Sequence, residues 1–357
     1  MELYLFEIRK MLITHKGWLI LLIGLILKTI LLYSIPEITD PRLGISHIQY
    51  DNLLQQIHGE TTHEKERFIV DSFNYYSDII RSYDQMLTSY LNEDISDQEW
   101  RNFIVVYERA NIIILALTIF YDKVGEFAIL SESPGLSPPH FFYEYGWSTV
   151  FNYNRYPDVI FLFIVAVLAV NMFTYDVTSG TISILNSSKN GCRKLFVKKL
   201  FVYTGFIIIV AFISGIHEYF IFSGRFQLDD TIPPIYSLTL FHDLAIQLSV
   251  LESLILVSAF RVLGLILFGI LCVVLANSTK NAVYSLCLAL LLMVASFLLV
   301  FLSPLTTILF PLGLLMGTQL LYTPYIIGIP AYFTFSVLSF IVFTVTILLI
   351  TISKEKE

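Results

Sequence analysis

Charge is what this sequence has least of. Its 357 residues include 22 Lys and Arg and 29 Asp and Glu, 14% in all, against 56% hydrophobic residues. Soluble domains carry about 25% charged residues, and the mean hydropathy here is +0.72, so a water-soluble globular chain is excluded. Cysteine is also scarce. Cys192, Cys272 and Cys287 contain no C-x-x-C pair, which removes zinc-ribbon and thioredoxin-like readings. The sequence lacks Gly-x-x-x-x-Gly-Lys-Ser/Thr, the loop whose backbone amides cradle nucleotide phosphates. It has no Gly-x-Ser-x-Gly, and neither His63-Glu64 nor His217-Glu218 continues to the second His of a zinc protease. These absences leave no catalytic, cofactor-binding or metal-binding residue to nominate, and they argue against an enzyme.

What is present is apolar sequence in long runs. A spanning helix needs roughly 20 mostly apolar residues, and six runs qualify: 17–35, 157–175, 200–223, 254–276, 281–301 and 331–353. Sixteen residues precede the first run and no small-x-small site follows it, so it reads as an uncleaved span. Short loops rich in Lys and Arg stay in the cytoplasm. Residues 1–16 carry Arg9, Lys10 and Lys16, residues 176–199 carry Lys189, Arg193, Lys194, Lys198 and Lys199, and Lys280 marks the turn 277–280. The loop 224–253 has Arg225 against Asp229, Asp230, Asp243 and Glu252. Both termini are therefore expected inside, with the tail 354–357 cytosolic, and six spans satisfy that parity.

The expected fold is an all-α membrane protein with six transmembrane helices, an N-terminal interfacial (elbow) helix at 1–16 and a helical extracellular domain at 36–156. That domain holds 18 acidic and 8 basic residues, and its negative charge argues against a nucleic-acid partner. Ile69, Phe73, Tyr76, Ile80, Tyr83, Leu87 and Tyr90 step by 4 and 3, one apolar stripe on one helix, with Thr61 and Glu64 as a capping box at its start. Ser96 and Glu99 open a second helix with the stripe Trp100, Phe103, Tyr107, Ala110, Ile114, Leu117 and Tyr121, and the short link predicts an antiparallel hairpin. Asn111–Phe120 is apolar but too short to span and reads as a buried segment. The aromatics Phe141, Phe142, Tyr143, Tyr145, Trp147, Phe151, Tyr153 and Tyr156 precede the second span and read as an interfacial belt. Residues 302–330 carry no charge but contain Pro304, Pro311, Pro324 and Pro330. They read as a re-entrant segment, tolerated only when buried in protein. In residues 1–16 the expected apolar face is Tyr4, Leu5, Ile8, Met11, Leu12 and His15, with Glu7, Arg9, Lys10 and Lys16 lying mostly off it.

Ionisable residues within or beside spans are functional hypotheses by default. Lys28, His217, Glu218, Glu252 and Arg261 qualify, all in the outer half. Lys28, Glu218, Glu252 and Arg261 are taken as an intramembrane polar cluster, with Glu218 and Arg261 as a pair. A structural role weighs above a translocation relay, because long side chains there can reach the interface.

The segment from Phe173 through Asp176, Gly180, Thr181 and Leu185 to Gly191, Arg193 and Lys199 leaves a span, turns at a glycine and re-enters through a basic cluster. That shape suits docking on a partner protein. It resembles the cytosolic loop of type 2 ABC exporter permeases, in which the second span ends in Phe and an acidic residue, followed by Gly-Thr or Gly-Met, a Leu-rich turn, and Gly or Arg before a closing Lys. Asp176 stands where that family commonly has Glu, and Cys192 where Arg is common. The elbow helix, the long outer domain after the first span, the six spans and the broken segment before the last also resemble that family, and the stretch from Tyr143, Glu144, Gly146 and Trp147 to Gly180 looks particularly like Firmicute-style members with large outer domains.

The resemblance implies a bacterial cell-membrane permease with no activity of its own. Phe173, Asp176, Gly180, Thr181, Leu185, Gly191, Arg193 and Lys199 would couple it to a separate ABC ATPase subunit that holds the ATP and Mg. It further implies a second permease, identical or a sister subunit, and a lipid bilayer around both. An amphipathic peptide, antibiotic or lipid-like substrate is the expected cargo, with peptide sensing and resistance, or export of a cell-wall or glycan precursor, as alternatives. A polytopic membrane enzyme is the reading from another class.

Overall fold

The computed structural model describes residues 2–131, 135–180, 191–244, 246–298, 311–322, 325, 326, 329, 330, 341 and 345. Its helices are α1 (Glu2–Arg9), α2 (Gly17–Ser34), α3 (Leu43–Ile57), α4 (His63–Arg81), α5 (Tyr83–Leu91), α6 (Asp97–Ser131), α7 (Tyr145–Tyr153), α8 (Val159–Thr178), α9 (Gly191–Arg225), α10 (Val250–Thr279), α11 (Ala282–Leu298) and α12 (Gly317–Leu320). Strands β1 (Gly59–Glu60) and β2 (His140–Phe141) pair antiparallel, as do β3 (Tyr325–Ile326) and β4 (Ile329–Pro330). Five described helices are long and apolar enough to cross a membrane: α2, α6, α8, α9 and α10. The chain is thus an all-α protein of membrane type. Helix α11 is apolar but has 17 residues, and the run 331–353 and the tail 354–357 lie outside the described residues, apart from residues 341 and 345.

Two compact units divide the chain. The first comprises Met1–Ile35, Val150–Arg225 and Leu254–Glu357. Its helices are built inside out relative to a water-soluble bundle. On α2 the buried positions are Gly17, Gly24, Lys28 and Leu32, steps of 7, 4 and 4 that keep one stripe inward. Around that stripe Leu22, Ile23, Ile26, Leu27, Ile30 and Leu31 are exposed. On α9 the exposed residues include Phe201, Ile209, Phe212 and Phe220. Helices that hide a lysine and show leucine and phenylalanine outward fit hydrocarbon as their solvent. The core joins Phe161, Val165 and Met172 of α8 to Tyr203, Phe206 and Ile207 of α9 and Phe268 and Cys272 of α10. The hydroxyl of Tyr203 donates to the Val165 carbonyl at 2.8 Å, which satisfies its polar atom inside that core.

The described part of 302–330 begins with a 3₁₀ turn at Pro311–Leu315, followed by α12. Residues Leu312 and Leu314–Leu321 are buried, apolar side chains included, the condition under which irregular backbone is tolerated at membrane depth. A Cβ at Gly264 would lie 2.8 Å from the Leu315 backbone nitrogen, so glycine there lets this segment lie against α10.

The N-terminal helix departs from its expected face. Glu7, Met11 and His15, four residues apart, are the buried ones, while Leu5, Phe6 and Ile13 point outward. Burying Glu7 corrects its expected place off the apolar face. Lys10 and Lys199 lie close enough to offset part of the cost of that burial, but desolvation outweighs them. A π-helical turn, Lys10–Thr14, follows α1, and Lys16 in the left-handed region (φ 53°) precedes α2.

The second unit comprises Pro36–Thr149 and Phe226–Ser253. Helices α4 and α6 form the expected antiparallel hairpin with α5, and ring pairs run in opposite chain directions: Phe73 with Tyr121 at 4.2 Å, Tyr83 with Tyr107 at 4.5 Å and Tyr90 with Trp100 at 5.1 Å. The stripe from Ile69 to Tyr90 is not on one helix. It breaks at Ser82, whose hydroxyl donates to the Ile79 carbonyl at 2.8 Å, a side-chain bond that competes with the helix ladder. The first cap is also displaced by one residue, since Thr62, not Thr61, accepts from the Lys65 amide. Ser96 and Glu99 do cap α6 reciprocally. The apolar stretch of α6 runs on past Phe120, so the expected limit on its length is corrected and the helix is long and apolar enough to span, while Ala116, Ile119, Phe120 and Phe127 pack with Tyr50 and Leu54 of α3.

The expected aromatic belt is instead largely interior. Phe141, Phe142, Tyr143, Tyr145, Trp147 and Phe151 are buried. The Trp147 indole donates to the Asp229 carbonyl at 2.7 Å, so its polar end has a protein partner and does not need headgroups. Inside this unit Lys123 and Glu144 pair at 2.8 Å, and Glu144 also accepts from the Thr239 amide at 2.6 Å and hydroxyl at 2.9 Å. A Cβ at Gly146 would meet the Gln227 carbonyl oxygen at 2.4 Å.

Candidate functional site

Two clusters of charge form within the first unit. In the first, α2 contributes Lys28, which is 0% exposed. Its ammonium donates to Asp158 Oδ2 and Ser214 Oγ, each at 2.5 Å, and to Glu218 Oε1. Arg261 on α10 donates from Nη1 to Asn154 Oδ1 and to Glu218 Oε2, the latter at 3.2 Å, and its Nη2 lies 3.7 Å from Asp158 Oδ2. The Phe161 amide at the start of α8 donates to Asp158 Oδ1 at 3.2 Å. Aromatic faces complete the cluster, with Lys28 4.4 Å from the Phe161 ring centroid and Arg261 5.7 Å from that of Tyr153.

Two cations and two carboxylates cancel. That matters because a single unpaired charge at the bilayer centre costs on the order of 2.5–3.5 kcal/mol by insertion scales. A cavity of about 50 Å³ adjoins the cluster, lined by Ser214, Glu218, Ser258 and Arg261 among others. A water needs about 10–15 Å³ of such space, so there is room for a few. On the same two helices, Thr29 Oγ1 and His217 Nε2 lie 3.0 Å apart.

Lys28, Glu218 and Arg261 are thus brought together, and Glu252 is not. Glu252 belongs to the second unit, where its carboxylate accepts from the Ser249 amide at 2.8 Å and hydroxyl at 2.9 Å, and its own amide donates back to Ser249 Oγ at 3.2 Å. It is a helix cap, and its place in the polar cluster is corrected on that ground. Sequence reading missed Asp158, Asn154 and Ser214. Asp158 follows Pro157 directly before an apolar run, a charge at the mouth of a span that could have marked it.

The second cluster lies where α8 ends. Asp176 accepts from Lys10 Nζ at 2.8 Å and from Lys199 Nζ, and Lys199 also donates to the Met172 carbonyl at 3.2 Å. Lys10 stands 4.5 Å from the Tyr175 ring centroid. Glu7 and His15 border the same cluster, and among the described residues neither Glu7 Oε2 nor His15 Nε2 has a hydrogen-bond partner. Burial pushes the His15 imidazole down to about 4, assisted by Lys10 and Lys199. Burial likewise raises the Glu7 carboxyl, against the pull of the same two lysines.

Of the docking residues expected from sequence, Phe173 packs edge-on against Phe196 at 5.6 Å and Tyr203 at 6.0 Å. Phe173 and Lys199 are both buried, so they reach outward only through what they hold. Gly180 has a φ of 72°, a backbone conformation that favours glycine. Gly191 and Arg193 fall in the first turn of α9. Thr181 and Leu185 lie outside the described residues. Lys10, Glu7 and His15 were read from sequence only as parts of an amphipathic helix, and no sequence signal tied them to Asp176, 166 residues from Lys10.

No family model, curated protein or solved structure matches the chain.

Proposed function

We propose that this chain is the permease subunit of an ATP-driven ABC exporter. It would have six spans, both termini in the cytosol, and residues 36–156 outside a bacterial cell membrane. The observation that carries the reading is the cluster around Asp176. One carboxylate at the end of α8 is held by Lys199 of α9 and by Lys10 of the N-terminal segment. The ends of α8 and α9 that flank the segment 181–190 are therefore fastened to each other and to the amphipathic N-terminus. A partner pressing on that segment would move all three together, the mechanical requirement of a permease driven by an ATPase on another polypeptide. The missing phosphate-cradling loop fits such a division of labour.

In this reading ATP and Mg bind the partner ATPase, and a second permease, identical or a sister, completes the pore. The cargo is an amphipathic peptide, antibiotic or lipid-like molecule, and the chain performs no catalysis. The apolar outward faces and the acidic segment 36–156 support such cargo, since cationic amphiphiles would be attracted at release.

The test is affinity purification of the full chain from its native membrane, followed by identification of what comes with it. A Walker-motif ATPase is expected, the chain alone should not hydrolyse ATP, and Gly180→Leu should detach the ATPase while leaving expression intact. Absence of any such ATPase, or its full retention with Gly180→Leu and with Asp176→Asn, sinks the reading. Substrate-stimulated ATP hydrolysis in the reconstituted complex then separates an exporter from a sensing module.

A further inference from the structure

An apolar cavity of about 600 Å³ lies in the first unit between the N-terminal helix, α2 and α9. Tyr4, Ile8 and Leu12 form one wall and Phe201, Phe206 and Ile209 the other. Gly205 sits in the lining, and a Cβ built on it would meet nothing within 4 Å, so the floor is open. Tyr4 and Phe201 meet edge to face at 6.1 Å, and the ammonium of Lys198 stands 5.4 Å from the Tyr4 ring centroid. Among the described residues Lys198 has no carboxylate partner, unlike Lys10, Lys28 and Lys199.

We propose that this groove is a binding site for one anionic glycerophospholipid, with an acyl chain between the N-terminal helix and α9 and the headgroup phosphate on Lys198. The walls are apolar, which suits a hydrocarbon chain and no polar ligand, and the volume falls in the usual range for a ligand pocket, roughly 300–1,000 Å³. The cation at the rim supplies the second half of the recognition. Basic positions beside spanning helices attract anionic headgroups. The acids at α8 and α9 of a second copy would match this rim poorly, because Asp158, Asp176 and Glu218 are already paired inward. The outward face of α2, with Ile26 and Ile30 exposed, offers ordinary lipid contact and no such rim. The inference needs only that the first unit sits in a bilayer and does not depend on an ATPase partner.

The experiment uses the full chain in nanodiscs of phosphatidylcholine with one tenth phosphatidylglycerol, the latter carrying a photoactivatable diazirine on one acyl chain. Adducts are mapped by mass spectrometry of peptides. The expected result is adducts concentrated on the segments Tyr4–Leu12 and Phe201–Ile209. Gly205→Leu, which fills the floor, should reduce them at least fivefold, and Gly205→Ser should leave most of them, which guards against misfolding as the cause. Lys198→Gln should lower the preference for phosphatidylglycerol over a diazirine phosphatidylcholine by roughly fivefold, the worth of about 1 kcal/mol per basic residue near a membrane surface. Adducts spread evenly over the α2 face and the groove, or unchanged by Gly205→Leu, overturn the proposal. So does crosslinking of the groove to a second copy of the chain in place of lipid.

Discussion

The two units solve opposite problems with the same chemistry. The first turns leucine, isoleucine and phenylalanine outward and gathers its buried charges into paired clusters, Lys28 with Asp158 and Glu218 above all. The second carries most of the acidic residues on its outside and fills its interior with rings, Tyr50 stacked on Phe120 at 4.7 Å and Phe127 against Phe141 at 5.1 Å. Yet it too buries an ion pair, Lys123 with Glu144. A buried ion pair is therefore common to both units and does not by itself identify the solvent around either. What differs is the exposed surface, mostly apolar on the helices of the first unit and mixed acidic and apolar on the second, and the solvent each meets is open to test.

The largest expected effect tests the buried charges themselves. Lys28→Met would leave Asp158 and Glu218 facing each other with Arg261 as sole cation. Removing one partner of a buried pair costs on the order of 3–5 kcal/mol, read as a fall in melting temperature or loss of folded yield in detergent. Adding Glu218→Gln should recover part of that loss, because the uncompensated charge goes with it. If Lys28→Met melts like the parent, the cluster is not holding the first unit together.

Next in size is a test of the surfaces. Ile26→Arg places a cation on the outward face of α2, and if that face meets hydrocarbon the cost is about 2.5–3.5 kcal/mol. Val105→Arg in the second unit, at a position comparably exposed (58% against 52%), should stay within about 0.5 kcal/mol if water surrounds it. Equal effects at the two positions would break the comparison of solvents outright.

A smaller effect belongs to the packing of the second unit. Gly146→Ala drives a methyl into the Gln227 carbonyl and should destabilise by about 1–3 kcal/mol. Gly44→Ala, where nothing lies within 4 Å, should stabilise by about 0.4–1 kcal/mol through the unfolded chain. Denaturant midpoints of the two variants moving in the same direction would show that the Gly146 contact does not constrain the backbone.

The smallest effect is the acid response of the N-terminal segment. His15 titrates near 6.5 when unfolded and about 4 when folded, so between those values the unfolded chain holds more protons. The stability His15 contributes is present above pH 6.5 and is lost as pH falls toward 4. Glu7, with its carboxyl raised, works in the opposite sense by keeping its proton longer in the folded state. His15→Gln removes the first contribution and leaves the second, so melting of the variant should be less acid-sensitive between pH 6.5 and 4.5. Parallel curves for variant and parent would dissociate His15 from the acid response.

How much of this was legible beforehand depended on how local the cause was. Long apolar runs at 17–35, 157–175, 200–223 and 254–276 needed only composition and length, and helices stand over each. The Ser96 and Glu99 cap was readable because both partners sit three residues apart. The aromatic segment before α8 was misread because ring-rich sequence looks the same at a membrane interface and in a core. Trp147 differs only in finding the Asp229 carbonyl, 82 residues away. In the polar cluster, Glu218 and Arg261 stood out as charges in apolar sequence, whereas Asn154 and Ser214 are ordinary residue types there. Glu252 misled because a capping acid and a buried acid are the same letter beside an apolar run.

The inward position of Lys28 has a consequence for how the chain is made. Its carboxylate partner Asp158 lies 130 residues further on and Glu218 lies 190 further on. At about 5–20 residues per second of synthesis, the first apolar helix must wait roughly 7–26 seconds before any of its counter-charges exists. During that interval the ammonium has to be tolerated by lipid, by the insertion machinery or by its own reach toward the headgroups. Assembly of the first unit is therefore ordered in time, with α2 parked early and locked only when α8 and then α9 arrive.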